Sequence, residues 1–133
     1  MKLTTKSEYS LLALLYIARH QDRGFVKIEN ICEAYDIPRK YLEQLMLVLK
    51  QSGLVKSRRG ARGGSVLARP ARKITAAEVI RLMDGPLAPI ESVSKYFFFP
   101  TPLDREKKLI RVFKEIRNYI SGKLERLTLA DLL

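Results

Sequence analysis

The chain has 133 residues, of which 47% are hydrophobic, and it carries one cysteine and a formal net charge of +11. This length supports one domain with an appended arm, and the apolar fraction is sufficient for a core. A single cysteine excludes an internal disulfide and a multi-cysteine metal site within one chain. The positive charge implies an anionic partner, and nucleic acid, an acidic membrane surface and an acidic protein all fit it.

Membrane and enzyme functions find little support in the residues. No apolar run approaches the roughly 20 residues that a membrane-spanning helix needs. Ser7 and Glu8 interrupt the N-terminal segment where a signal peptide requires continuous apolar residues. The chain has one histidine, no glycine loop that opens a helix and no paired nucleophile and base. We therefore expect a cytoplasmic protein that is not an enzyme, with no catalytic residues, no metal, no cofactor and no membrane partner.

The first third of the chain predicts two helices and the start of a third. Thr5 and Glu8 have the spacing of a capping box ahead of an apolar stripe that continues to about Arg19. A shorter second helix should end near Tyr35. Pro38 is expected in the first turn of the third helix, where a missing N–H has no cost. A short helix, a tight turn and a longer helix are typical of a helix-turn-helix.

Residues 37–70 predict a helix followed by a basic hairpin. Apolar residues at helical spacing continue to Leu49, after which 54–58 and 65–69 have the pattern of two short strands around a glycine- and arginine-rich turn. From 52 to 77 there is no acidic residue and there are seven basic ones: Lys56, Arg58, Arg59, Arg62, Arg69, Arg72 and Lys73. A helix followed by a basic hairpin indicates a winged helix that binds nucleic acid.

The remaining sequence predicts a fourth helix, an irregular connection and a long last helix. Thr75 with Glu78 repeats the capping-box spacing, and the fourth helix should end near Asp84. Glycine and proline mark 85–103 as a connection longer than most loops. From Asp104 an apolar stripe at three- and four-residue steps favours a dimer seam over core packing, and its members are Leu109, Phe113, Ile116 and Ile120.

These elements divide the chain into three predicted regions. Residues 1–84 form a winged helix-turn-helix, 85–103 the irregular connection, and 104–133 a dimerisation helix with a C-terminal cap. Ser121 and Gly122 are expected to interrupt the long helix, and Thr128 to cap a last short turn. The fold class is mainly α with a small β-hairpin wing.

A run of four aromatic residues lies in the connection: Tyr96, Phe97, Phe98 and Phe99. Exposed aromatic surface is unfavourable unless something covers it. Three interpretations stay open: the run packs against the dimer arm, lines a pocket for a small-molecule effector, or docks a partner protein.

Three segments together carry a family resemblance. They are MKLTTKSEYSLLALLYIA at the N-terminus, IPRKYLEQLMLVLKQSGLVKSRRGARGGSVLARP in the middle and ITAAEVIRLMDGPLAPIE after it. YLEQL followed by SGLV, RG and GG is a specific ordered combination. The chain resembles the Rrf-two family of bacterial dimeric transcription regulators over nearly its whole length. The resemblance implies a homodimer joined through the long helix and a palindromic operator in double-stranded DNA.

The resemblance also implies roles for individual residues. Glu43 and Gln44 occupy positions that the family uses for base contacts, and Arg59 occupies the wing position that enters the minor groove. Their chemistry fits, since Glu accepts from cytosine, Gln bonds adenine and Arg suits a narrow minor groove. Arg39 and Lys40 are candidate helpers in base readout. We expect phosphate contacts from Lys2, Lys6, Tyr41, Lys56, Arg58 and Arg62.

The connection departs from the cluster-binding members of this family, which carry three cysteines there. Residues 91–104 contain none, and thiolates are the usual ligands of iron-sulfur clusters. We therefore interpret the chain as a cluster-free repressor. Cys32 is expected to be a buried small hydrophobe, with a redox-sensing thiol as the alternative. Two alternative functions stay open: a non-specific nucleic-acid-binding protein, and a regulatory module that docks a partner enzyme through the aromatic run.

Overall fold

A computed structural model describes all 133 residues. It contains five helices, α1 (Thr5–His20), α2 (Ile28–Tyr35), α3 (Arg39–Gln51), α4 (Ala76–Asp84) and α5 (Lys107–Arg126), and one antiparallel hairpin of strands β1 (Val55–Arg58) and β2 (Gly64–Leu67). The predicted fold class, mainly α with a hairpin wing and a long C-terminal helix, is confirmed. No helix is both long enough and apolar enough to cross a membrane.

The core forms where α1, α2 and α3 meet the base of the hairpin. Leu14 and Ile17 of α1, Ile31 of α2 and Leu42 and Leu49 of α3 are all fully buried there. Because these residues recur at helical spacing, each helix turns one apolar face inward and leaves its other faces in solvent. The core therefore fixes α3 with its polar face outward.

The wing is joined to the segment before α2. Val26 and Ser65 exchange two backbone hydrogen bonds, each 2.8 Å long, which adds a third short strand segment beside β2. Gly64 allows this approach, since its φ is +142° and a Cβ there would lie 2.3 Å from the carbonyl oxygen of Val26. The end of the hairpin next to its turn is thus attached to the segment before α2.

The predicted capping box at the start of α1 is wrong. The N-cap is Thr4, Thr5 is already helical, and no side chain caps this end. Thr4 instead donates from its backbone N–H and its hydroxyl to Asp84, and Ser7 Oγ donates to the same carboxylate at 2.7 Å. A carboxylate from the end of α4 satisfies these donors, so Glu8 is left exposed.

Two other helix starts follow the sequence more closely. Thr75 caps α4 as predicted by accepting the backbone N–H of Glu78 at 3.1 Å, although the Glu78 carboxylate binds Arg69 instead of returning to the cap. Pro38 is the N-cap of α3 and not part of its first turn, because its ψ of 128° is extended. The helix begins one residue later than predicted.

The long helix differs from its prediction at both ends. α5 begins at Lys107, after a capped 3-10 turn at Pro102–Arg105. Ser121 and Gly122 do not interrupt it, because apolar residues on either side of them, Ile120 and Leu124, pack against a buried cluster of Ala77, Ile80 and Leu87. This packing outweighs the low helix propensity of glycine. Thr128 accepts the N–H of Asp131 and caps the last turn as predicted.

Candidate nucleic-acid interface

The outer face of α3 carries the predicted base-reading residues. Arg39, Lys40, Glu43 and Gln44 are all exposed, while the opposite face is buried. Arg39 bridges two carboxylates, with Nε 2.9 Å from Glu43 and Nη2 2.9 Å from Glu29 of α2. The hydrogen bond to Glu43, followed by the charge of Glu29, raises the pKa of Arg39. Arg39 and Glu43 are therefore paired with each other in the free protein, whereas Lys40 and Gln44 form no ion pair or side-chain hydrogen bond.

The wing presents cations without counterions. Lys56, Arg58, Arg59 and Arg62 are exposed, and none of them takes part in the five ion pairs of the chain. The guanidinium carbon of Arg58 lies 5.5 Å from the centre of the Phe25 ring, a cation–π distance. Unpaired cations on a projecting hairpin produce a concentrated positive field.

An open groove separates α3 from the wing. It is lined by Arg39 and Glu43 on the helix and by Ser57 and Arg59 on the hairpin. Lys50, which sequence reasoning left out, lines it too. Lys50 lies seven residues after Glu43 and thus on the same helix face, a spacing that could have identified it. Lys40 and Gln44 do not line this groove.

The other predicted phosphate contacts lie near the start of α1. Lys2 and Lys6 are exposed. Tyr41 is half-buried, with its ring edge-on to Tyr9 at 5.6 Å and its hydroxyl 3.2 Å from the hydroxyl of Thr5. Tyr41 therefore links α3 to the start of α1. Its hydroxyl lies at the surface, close to the N-terminal segment that carries Lys2 and Lys6.

Cys32 is half-buried against the core. Burial is the largest influence on its thiol and raises the pKa, although the charge of Arg39 opposes this. A raised pKa keeps the sulfur in the weakly nucleophilic thiol form at neutral pH. Cys32 thus packs against the core but is only partly buried, where full burial was expected.

The aromatic run in the connection is exposed along its whole length. The exposed fractions of Tyr96, Phe97, Phe98 and Phe99 lie between 44% and 69%. The Arg81 guanidinium carbon stands 4.7 Å from the centre of the Tyr96 ring. The run is therefore not part of the core of its own chain.

The exposed apolar residues of α5 overlap in part with the predicted dimer seam. Leu109, Val112, Ile116 and Tyr119 are exposed. Phe113 is half-buried, and Ile120 packs against the α4 cluster of its own chain. Ile120 thus makes a contact within its own chain.

Comparison with known proteins identifies the family. Residues 3–133 match the model of the Rrf2 (Rrf-two) family, described as an iron-dependent transcriptional regulator. The chain belongs to this family. It is 34% identical over 132 residues to the HTH-type transcriptional regulator CymR of Bacillus subtilis, covering 99% of this chain and 89% of CymR. The chain is therefore a helix-turn-helix transcriptional regulator of the Rrf2 family and not an enzyme, and the predicted resemblance is confirmed.

Solved structures of Rrf2 proteins share the fold. The structure of CymR, the global cysteine regulator of B. subtilis, superposes with a TM-score of 0.81 at 35% identity and covers 99% of this chain and 95% of CymR. The oxidised form of Staphylococcus aureus CymR has a TM-score of 0.72 at 33% identity, with coverage of 99% and 95%.

The description of the Rrf2 family implies iron, and the residues of the connection do not fit an iron-sulfur cluster. Between 91 and 104 the only acidic side chains are Glu91 and Asp104, and there is no thiol or imidazole. Asp104 already accepts the backbone N–H of Thr101 at 3.2 Å. No group of three or more His, Cys, Asp or Glu residues is arranged to hold a metal ion.

Proposed function

We propose that this Rrf2 regulator binds a palindromic DNA operator as a homodimer and represses transcription without an iron-sulfur cluster. The observation that carries the proposal is the placement of an exposed polar face of α3 beside a wing whose four cations have no counterion. A helix of this kind fits the major groove, and the wing next to it reaches the adjoining backbone. We locate this activity in the cytoplasm.

We assign base readout to residues of α3 and to Arg59, which follows β1. Gln44 is free to bond adenine bidentately, and Arg59 suits a narrow minor groove. Glu43 can accept from cytosine while Arg39 remains bound to it, because a carboxylate has more acceptor sites than Arg39 occupies. Glu29 holds Arg39 from the other side, so Arg39 orients Glu43 toward the bases. Lys40 is a further helper.

Phosphate contacts surround this reading face. Lys56, Arg58 and Arg62 hold one side from the wing, and Lys2, Lys6 and Tyr41 hold the other from the start of α1 and from α3. Such contacts fix register and supply most of the salt-dependent affinity.

We assign dimerisation to α5. Its exposed apolar stripe of Leu109, Val112, Ile116 and Tyr119 covers about three turns, which is longer than isolated surface hydrophobes explain. A second copy that presents the same stripe would cover it in an isologous interface. Two such chains offer two α3 helices to half-sites about one helical turn or a multiple apart.

We propose the same division into three regions as the sequence predicts. We assign residues 1–84 to DNA binding, 85–103 to contact with an effector or partner and 104–133 to dimerisation. The absence of thiols between 91 and 104 supports a cluster-free regulator.

Selection of bound duplexes from a random pool tests the proposal. Purified chain should enrich a two-fold symmetric sequence, and unlabelled random duplex should compete with it poorly. An unenriched pool with the same salt dependence would favour the alternative of non-specific nucleic-acid binding. Copurification of one protein at fixed stoichiometry, without duplex binding, would favour the docking module.

A further inference from the structure

A cavity of about 390 Å³ lies between the aromatic run and the N-terminal half of α5, away from the α3 and wing surface. Its size is within the range of about 300–1,000 Å³ that small-molecule sites occupy. One wall is the face of α5 that carries Lys107, Arg111 and Lys114, and Phe98 forms part of another. The positions 107, 111 and 114 are four and three residues apart, so they share one helix face.

These three cations are uncompensated. None of them belongs to an ion pair of the chain. The only carboxylate in the lining, Asp104, is occupied as the cap of the preceding 3-10 turn. Three positive charges against one negative charge leave the lining with an excess of two, so an anion entering it meets a favourable field.

A buried hydroxyl adds a directed donor to this lining. Ser92 is only 6% exposed, and its Oγ accepts the hydroxyl of Thr101 at 3.1 Å. This hydroxyl lines the cavity and can rotate to donate to a ligand there. A charged surface whose only role is solubility would not require a buried hydroxyl in its lining.

The backbone of the connection is held in place around this hydroxyl. Arg117 donates to the carbonyl oxygen of Val93 at 2.9 Å, and the backbone N–H of Phe97 donates to Ser94 at 3.0 Å. The N–H of Phe99 also donates to the carbonyl oxygen of Glu91 at 3.3 Å. Phe98 is therefore presented on a tethered loop, with 61% of its surface exposed. An aromatic ring held open beside a cationic wall suits a ligand with a flat apolar part.

We propose that this cavity binds a small organic anion that carries a phosphate or carboxylate group and a flat apolar portion. Arg111, Lys107 and Lys114 hold the anionic group, Ser92 donates to it, and Phe98 stacks on the apolar part. At about 100° per residue, the cationic face of α5 lies nearly opposite the stripe centred on Ile116. A dimer joined through that stripe would therefore leave the cationic face free. The site depends on neither the DNA-contacting residues nor the dimer proposed above.

Calorimetric titration of the full chain with phenyl phosphate tests this site, with inorganic phosphate and benzyl alcohol as partial probes. Phenyl phosphate should bind saturably and more tightly than either. Arg111→Gln and Lys114→Gln should each weaken it at least about tenfold, because each removes a charge-assisted hydrogen bond. Lys123→Gln, on another face of α5, should have no effect. Phe98→Ser should abolish the advantage of phenyl phosphate over inorganic phosphate.

Three results would overturn the proposal. Phenyl phosphate that fails to saturate the folded wild-type chain would show that there is no site. An equal loss for Lys123→Gln would show that net charge alone attracts the probe. If Arg111→Gln weakened duplex DNA as strongly as phenyl phosphate, the cations would belong to the nucleic-acid surface and not to a small-anion site.

Discussion

Asp84 joins the two ends of the DNA-binding region through a single side chain. Its carboxylate accepts the backbone N–H and hydroxyl of Thr4 and the hydroxyl of Ser7. Burial would raise the pKa of Asp84, but the hydrogen bonds from Thr4 and Ser7 and the charge of Lys6 outweigh it, so the pKa is lowered. This one residue ties the end of α4 to the start of α1, where Lys2 and Lys6 lie.

Replacement of Asp84 should therefore have a pH-dependent effect on stability. Asp84→Asn should lower the free energy of unfolding by about 1 kcal/mol at pH 7, because charged hydrogen bonds are lost at a partly exposed site. The lowered pKa means that the stabilisation is complete above the unfolded value of about 3.9 and is lost as pH falls through the folded value. Urea unfolding between pH 7 and pH 3 measures this. A difference that stays the same at pH 3, or one that also appears in the exposed Asp22→Asn control, would contradict it.

Replacement of Gln44 and replacement of Arg62 should affect DNA binding differently. Gln44→Ala should cost about 1–3 kcal/mol on the selected duplex, relax preference at one position and leave random DNA unaffected. Arg62→Ala should weaken selected and random duplexes alike and reduce the salt slope by about one unit, since one phosphate contact is lost. Fluorescence anisotropy over a salt series separates the two. Equal losses on both duplexes for Gln44→Ala would reject its role in readout.

At the level of elements, the attachment of the wing to the segment before α2 depends on Gly64, which lies beside the turn of the hairpin. Gly64→Ala would place a Cβ 2.3 Å from the carbonyl oxygen of Val26 and would impose a φ of +142° on an L-residue. We expect loss of the Val26–Ser65 pairing, destabilisation of about 1–3 kcal/mol and weaker binding of every duplex. Amide exchange at Ser65 and thermal unfolding measure these effects. Ala61→Ser, in the exposed turn, is the control, and continued protection of the Ser65 amide in Gly64→Ala would refute this account.

Sequence patterns predicted the elements whose formation depends on local signals. Apolar spacing identified α3, the glycine- and arginine-rich turn identified the hairpin, and the cap at Thr75 formed as expected. Two of the failures involve residues distant in sequence. Asp84 replaces a local cap on α1, and packing against α4 carries α5 through Gly122. Such contacts leave no periodic signal along the chain.

For residues of the candidate site too, local features could be predicted from the sequence and contacts between distant residues could not. Exposure of Gln44 and the wing cations could be predicted, because helix periodicity and charge determine it. The pairing of Arg39 with Glu29 could not, since Glu29 belongs to α2 and meets α3 only after the helix-turn-helix has folded. The burial of the Ser92 hydroxyl could not be predicted either, because burial of a serine in an irregular connection depends on tertiary packing.

For the molecule as a whole, the exposed stripe of α5 predicts that association and DNA binding are linked. Ile116→Lys should shift the chain from dimer to monomer in sedimentation velocity, because it would bury an unpaired charge in the seam. The monomer should retain non-specific DNA binding but lose most of its preference for the selected duplex, since one half-site remains.

Asn118→Lys is the matched control for this change. It adds the same charge at an exposed position on the opposite face of α5 and should remain dimeric. A monomeric wild-type chain, or an Ile116→Lys variant that still dimerises, would show that the stripe is not the seam.

In the proposed dimer, two α3 helices read two half-sites from one side of the duplex. Insertion of about 5 base pairs between the half-sites of the selected operator tests this arrangement, because the insertion rotates one half-site by about half a helical turn relative to the other. Affinity should fall at least about hundredfold toward the value for random DNA, although the half-site sequences are unchanged. Unchanged affinity for the expanded operator would contradict it.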